Sequence, residues 1–182
     1  MDLSNEIQKA LDDNDIELSL KLLLGNEKTD NDNHWILTTI SMCMRMVGRF
    51  PEALEYSERS LKICPTCPYT QWQYAAALEA SGQWQEAKNN YIKFLERSID
   101  EMLNDPCSEG LDWVQGMIVD CWYYIGACSE ELSEFSYAYE CYKKYLQMYS
   151  TNLDSVVPDG CISRAISRVS KKTKLSGHDE GV

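Results

Sequence analysis

Gly48-Arg49-Phe50-Pro51-Glu52-Ala53 returns 34 residues on as Gly82-Gln83-Trp84-Gln85-Glu86-Ala87. Self-similarity at that period marks a stack of helix-turn-helix units, each too thin to bury its own apolar face and therefore dependent on its neighbours. Extending the phase backwards places Asn14 34 residues before Gly48. Asn, like Gly, tolerates the left-handed conformation that a tight interhelix turn needs. Ile16, Phe50, Trp84 and Phe135 share the phase two residues past the turn. Ser19, Ala53, Ala87 and Ala138 follow three residues later, small side chains that let paired helices approach. Pro65 closes one unit, and Trp122-Tyr123-Tyr124-Ile125-Gly126 gives the large-then-small pattern expected on the first helix of the last.

The spacing, the Gly-x-aromatic turn, the small residue three further on and the terminal Pro resemble the tetratricopeptide repeat family over residues 1 to 150. The repeats at 34–67 and 68–101 fit best. The repeat at 119–150 carries Ser133 where the turn Gly is expected, and 1–24 reads as a degenerate first repeat. The resemblance implies an all-α, right-handed helical solenoid of antiparallel helix pairs whose concave groove binds peptides or helices.

The chain has 182 residues, enough for a real core, with a net charge of −12 and plentiful Ala, Leu, Tyr and Trp. No β-alternation competes with the helical reading. The charge disfavours nucleic acid, which demands a clustered basic surface. Runs such as His34 to Met44 are too short to span a bilayer, and the acidic start lacks the basic and apolar regions of a signal peptide. These features point to a cytoplasmic protein without a membrane role.

Between the third and last repeats the phase slips by 17 residues, from Gly82 to Ser133. Long helices over 83–104 and 111–132 absorb the slip, with 102–118 as a helix-extending insertion and Asp105-Pro106-Cys107-Ser108-Glu109-Gly110 as the turn. Leu95, Ile99, Met102 and Leu103 then face Leu111, Val114, Met117 and Ile118. Residues 25–33 hold turn formers and no apolar side chain, which predicts a polar connector. Cys161, Ile162, Ala165, Ile166 and Val169 at helical spacing predict a C-terminal capping helix over 158–173, its apolar stripe on the last repeat and its basic residues turned to water. Arg164, Arg168, Lys171, Lys172 and Lys174 make that segment basic; a docking patch for an acidic partner is its other reading. Residues 174–182 read as a disordered tail.

Of the eight cysteines, only Cys64 and Cys67 form a CxxC pair. A structural zinc site needs four ligands, and neither a second pair nor spaced histidines complete one, since His34 and His178 stand in unrelated contexts. Cys43, Cys121, Cys128 and Cys141 fall in apolar helical runs and read as small buried residues. Two histidines at opposite ends of the chain supply no base for a nucleophile, and there is no Gly-rich phosphate loop. The expectation is a protein that is not an enzyme and holds neither metal nor cofactor.

In the family the groove wall is built at phases 2, 5, 9, 12 and 13 of each repeat. Here these are Trp35, Thr38, Met42, Arg45 and Met46; Tyr69, Trp72, Ala76, Glu79 and Ala80; and Asp120, Tyr123, Ala127, Glu130 and Glu131. Members that clamp the carboxylate of a chaperone tail use Lys, Asn and Arg at phases 2 and 6. Trp35 and Thr39, Tyr69 and Gln73, and Asp120 and Tyr124 stand there instead, so that ligand is not implied. The candidate site is Trp35, Thr38, Met42, Met46, Tyr69, Trp72, Gln73, Tyr123 and Tyr124, suited to an apolar or amphipathic segment. Glu79, Asp120, Glu130 and Glu131 add an acidic rim that favours a basic or mixed partner. Phe50, Trp84, Phe135, Tyr91 and Tyr142 are assigned to packing between repeats. The function expected is a protein-protein interaction adaptor. A secretion-type or assembly chaperone for an unfolded client is the alternative, a zinc or thiol switch at Cys64 and Cys67 a third reading, and self-association stays open.

Overall fold

The computed structural model describes residues 3–27, 32–149, 155–158 and 160–176. Among them there are ten helices and no strand: α1 (Leu3–Asp12), α2 (Ile16–Glu27), α3 (His34–Met46), α4 (Phe50–Ile63), α5 (Pro68–Ala80), α6 (Trp84–Leu95), α7 (Ile99–Leu103), α8 (Leu111–Glu131), α9 (Phe135–Met148) and α10 (Cys161–Ser176). They fall into an N-terminal unit, 1–82, holding α1 to α5, and a C-terminal unit, 83–182, holding α6 to α10.

The turns obey the repeat phase. Asn14, Gly48, Gly82 and Ser133 all take positive φ, at 55°, 77°, 75° and 63°. After α3 the Gly48 N–H bonds to the Arg45 carbonyl and the Arg49 N–H to Met44; after α8 the Ser133 N–H bonds to Glu130 and the Glu134 N–H to Ser129. Both are Schellman closures, in which one left-handed residue lets two N–H groups satisfy the last carbonyls of the helix. Ser133 carries a Cβ into that conformation at a cost of about 1–2 kcal/mol. Ser133→Gly removes the strain while loosening the unfolded chain; the expected gain is about 0.5–1 kcal/mol, read as a higher urea midpoint.

In the N-terminal unit each helix packs on the next, and α3 also packs on α5. Ile7, Leu20, Leu23, Ile36, Ile40, Cys43, Met44 and Ala53 are buried together, with Trp35, Met42 and Tyr56 resting on them. Where α3, α4 and α5 meet, Thr38 Oγ1 lies 2.6 Å from Ser60 Oγ and 3.0 Å from Thr70 Oγ1, and Ser60 donates to the His34 carbonyl at 2.8 Å. A run from Thr70 to Thr38 to Ser60 to that carbonyl uses every hydroxyl proton once, so the buried hydroxyls are satisfied.

In the C-terminal unit α8 packs on α6 and α9, and α10 packs on α9. Val119, Ala138, Tyr142, Tyr145, Val157, Ile162, Ala165 and Val169 form its core, with Tyr123, Tyr124 and Tyr149 against them. Gly126 lets α9 come close: a Cβ there would stand 2.6 Å from Tyr142 Cε1.

Several sequence expectations change. The polar connector does not begin at 25, because α2 continues through Gly25 and Asn26 to Glu27; residues 28–31 of the connector lie outside the described residues. The long helix expected over 83–104 is two. α6 stops at Leu95, and Ser98, in extended conformation, caps α7 by accepting from the Glu101 N–H. A serine able to bond to a nearby N–H starts a new helix more readily than it continues an old one. Met102, Val114 and Met117 are buried as the hairpin pattern requires, whereas Ile99 and Leu111 are exposed. Phe50, assigned to packing, is 39% exposed; Tyr91 and Tyr142 are buried completely. α10 spans Cys161–Ser176, so the expected tail begins in helix and its remainder, 177–182, lies outside the described residues. No helix among the described residues is long and apolar enough to cross a membrane.

Candidate interaction face

α3 is started by Asn33, whose side chain accepts from the N–H groups of Trp35 and Ile36, a strong N-cap that satisfies the first turn and sets where the helix begins. Met42, Arg45 and Met46 stand three and four residues apart on that helix and so share one face. Tyr69 and Gln73 are related in the same way on α5. Side chains join the two helices: the Tyr69 hydroxyl donates to Met42 Sδ at 3.4 Å, and Arg45 Nη2 donates to Gln73 Oε1 at 3.1 Å. Met46 is 53% exposed, while Trp35, Met42, Arg45 and Tyr69 are half-buried. This is an apolar and aromatic surface open to solvent, with one cation in it.

The remaining candidates are deeper or elsewhere. Thr38 belongs to the buried hydroxyl run, and Trp72 and Gln73 are 5% and 4% exposed. Tyr123 and Tyr124 are half-buried on α8 of the C-terminal unit. Tyr124 stacks on Tyr91 with centroids 5.5 Å apart, and Tyr123 touches Tyr124, Tyr142 and Tyr145 at 5.3 to 6.0 Å. Offset and edge contacts of this kind contribute beyond the area buried.

The acidic rim is corrected by what covers α8. Asp120, 1% exposed, accepts from Ser155 Oγ at 2.6 Å and from the Val156 N–H at 2.8 Å. Glu130, 7% exposed, accepts from Arg168 Nη2 at 2.7 Å, from Lys172 at 3.4 Å and from the Tyr142 hydroxyl at 3.3 Å. Both carboxylates are used inside the fold, because a buried charge must be paired or hydrogen-bonded. Two of the cap's basic residues, Arg168 and Lys172, thus reach a carboxylate while their side chains stay about half open to water, as the capping-helix expectation had it. The sequence carried a hint: a basic segment follows an acidic helix, and opposite charges that close on packing find each other.

Burial pushes the Asp120 carboxyl up to about 6, against the pull of its two hydrogen bonds. Burial would raise Glu130 as well, but the hydrogen bonds and charge of Arg168, with Lys172, outweigh it and hold the carboxyl below its usual range. The two act oppositely on stability. The Glu130 contribution is present above the unfolded-state value and lost as pH falls through the folded one. Asp120 binds its proton more readily folded than unfolded, so its contribution shrinks as pH rises from about 4 to 6. Asp120→Asn is expected to gain stability relative to wild type over that window, measured by melting at several pH values.

Burial also pushes the Cys43 and Cys141 thiols up to about 11, in keeping with inert packing residues. His34, read from sequence as standing apart from the CxxC pair, has a ring nitrogen within 4.8 Å of Cys67 Sγ.

No family model matches the sequence, and no curated protein is similar to it by sequence. Solved structures do align. MamA from AMB-1 superposes with a TM-score of 0.69 at 14% identity, covering 96% of this chain and 89% of that one. The fold is that of the tetratricopeptide repeat proteins. The tetratricopeptide domain of Sgt2 from Aspergillus fumigatus aligns at a TM-score of 0.57 and 16% identity, over 80% of this chain and 82% of that one. The first such domain of human RPAP3 gives 0.55 and 11%, over 82% and 97%. Identities this low carry the tetratricopeptide architecture across and nothing about ligands.

Proposed function

We propose that this tetratricopeptide-repeat protein is a non-enzymatic interaction adaptor that captures an apolar or amphipathic segment of a protein partner on the α3–α5 face of its N-terminal unit. The observation that carries the reading is the contrast between the groove-phase residues of the N-terminal unit and those of the C-terminal unit, each taken by itself. Met46, Met42, Tyr69 and Trp35 leave apolar surface open on α3 and α5, whereas Asp120 and Glu130 on α8 are engaged by residues 155–156 and by α10. Adaptable methionines beside a rigid ring suit binding to varied apolar side chains. The open part of the candidate site is thereby narrowed to Trp35, Met42, Met46 and Tyr69, with Gln73, 4% exposed, bonded to Arg45 and Thr38, Trp72, Tyr123 and Tyr124 assigned to packing.

Affinity capture with wild type beside a Met46→Asp, Tyr69→Ala variant of unchanged melting temperature tests it. Loss of a specific partner, by about tenfold or more in affinity, is the expected result. Equal recovery by both forms rejects the assignment.

A further inference from the structure

Arg45 is an oddity in this chain. Acidic residues outnumber basic ones, 29 to 17, and Arg49, Arg59 and Arg168 each meet a carboxylate. Arg45 meets none among the described residues; its one hydrogen bond is to the neutral amide oxygen of Gln73, and its Nε is shielded from solvent without an acceptor. A guanidinium carries five N–H donors in a fixed fork. Gln73, 4% exposed, spends its amide oxygen on that bond, which leaves its N–H2 group beside the guanidinium. A shielded donor without an acceptor is costly to keep, and this one lies on the face read above as the capture surface.

We propose that Arg45 and Gln73 form a seat for a side-chain carboxylate, so that the segment captured on the α3–α5 face is apolar with an Asp or Glu at the point that meets Arg45. This rests on the reading of that face as the capture surface. A carboxylate is acceptor-only and planar, and matches both the guanidinium edge and the adjacent amide N–H. Apolar contacts flank the seat, with Met42 and Met46 on either side of Arg45 along α3 and Tyr69 one turn before Gln73 on α5. A segment that continues past the carboxylate in both directions fits this better than a chain terminus. The net charge of −12 opposes a strongly acidic partner, so a single carboxylate in an apolar setting is the fitting chemistry.

The test uses the full chain with two small probes, 3-(indol-3-yl)propionate and its neutral amide, followed by NMR of the Arg45 Nε–Hε signal and the Met42 and Met46 methyl groups. The carboxylate is expected to move all three and to bind about ten- to a hundredfold more tightly than the amide. Arg45→Gln should abolish that preference, and Arg45→Lys should keep part of it, retaining charge without the fork. If either variant fails to fold, the comparison of the two probes on wild type still decides. Equal binding of acid and amide overturns the seat and leaves the apolar face standing. Methyl signals untouched by either probe reject the face as well, and shifts confined to Arg164 and Lys171 on α10 assign the carboxylate to a non-specific basic surface and overturn the seat.

Discussion

Tyr142→Ala is expected to destabilise the protein by about 3–5 kcal/mol, the range for removing a fully buried ring. The ring has no exposure and lies in the C-terminal core beside Val119, Ala138, Tyr145 and Val169. Its hydroxyl donates to Glu130, so truncation opens a cavity and also strips a partner from a buried carboxylate. Tyr142→Phe keeps the ring and loses one long hydrogen bond, for an expected cost of about 1 kcal/mol. Urea denaturation of both variants separates packing from hydrogen bonding; equal losses would show that the hydroxyl, not the ring, holds α9 and α10 in place.

The second large effect is on the other side of the same contact. Gly126→Ala puts a methyl group 2.6 and 2.8 Å from Tyr142 Cε1 and Cδ1, closer than carbon atoms approach. The ring has no room to yield, because Tyr123 stands against it at 5.7 Å and Glu130 holds its hydroxyl. Overpacking of this kind costs about 1–3 kcal/mol, more than the roughly 1 kcal/mol that Ala gains over Gly inside a helix. The sign should reverse when the ring is gone: in a Tyr142→Ala background, Ala at 126 meets no ring and helix propensity alone remains. A double-mutant cycle measures the reversal, and additive effects would contradict the close approach.

The fold was legible because its punctuation is chemical. Asn14, Gly48 and Gly82 mark left-handed turns by residue type, and Ser133 was found by phase although its own chemistry argues against the conformation. Small residues at Ala53, Ala87 and Ala138, all fully buried, mark where helices approach. The break at Ser98 was harder, since 83–104 holds helical periodicity throughout and only the capping choice of one serine interrupts it. The site was less legible. Phase identifies which residues point inward but not what else covers them. Asp120 and Glu130 stand at groove phases, yet Ser155, Val156 and Arg168, 35 to 38 residues away in sequence, occupy them. Trp72 and Met46 both stand at groove phases and differ tenfold in exposure. Periodicity encodes the direction of a side chain; its exposure depends on packing from distant segments.

The most direct test of the account places the photo-crosslinker p-benzoyl-L-phenylalanine at Met46, on α3, and in a second variant at Leu146, an exposed residue of α9. The account predicts a discrete adduct with a single protein partner from position 46 and none from 146. An adduct from 146 alone, or the same partner from both positions, would contradict the assignment of binding to the α3–α5 face.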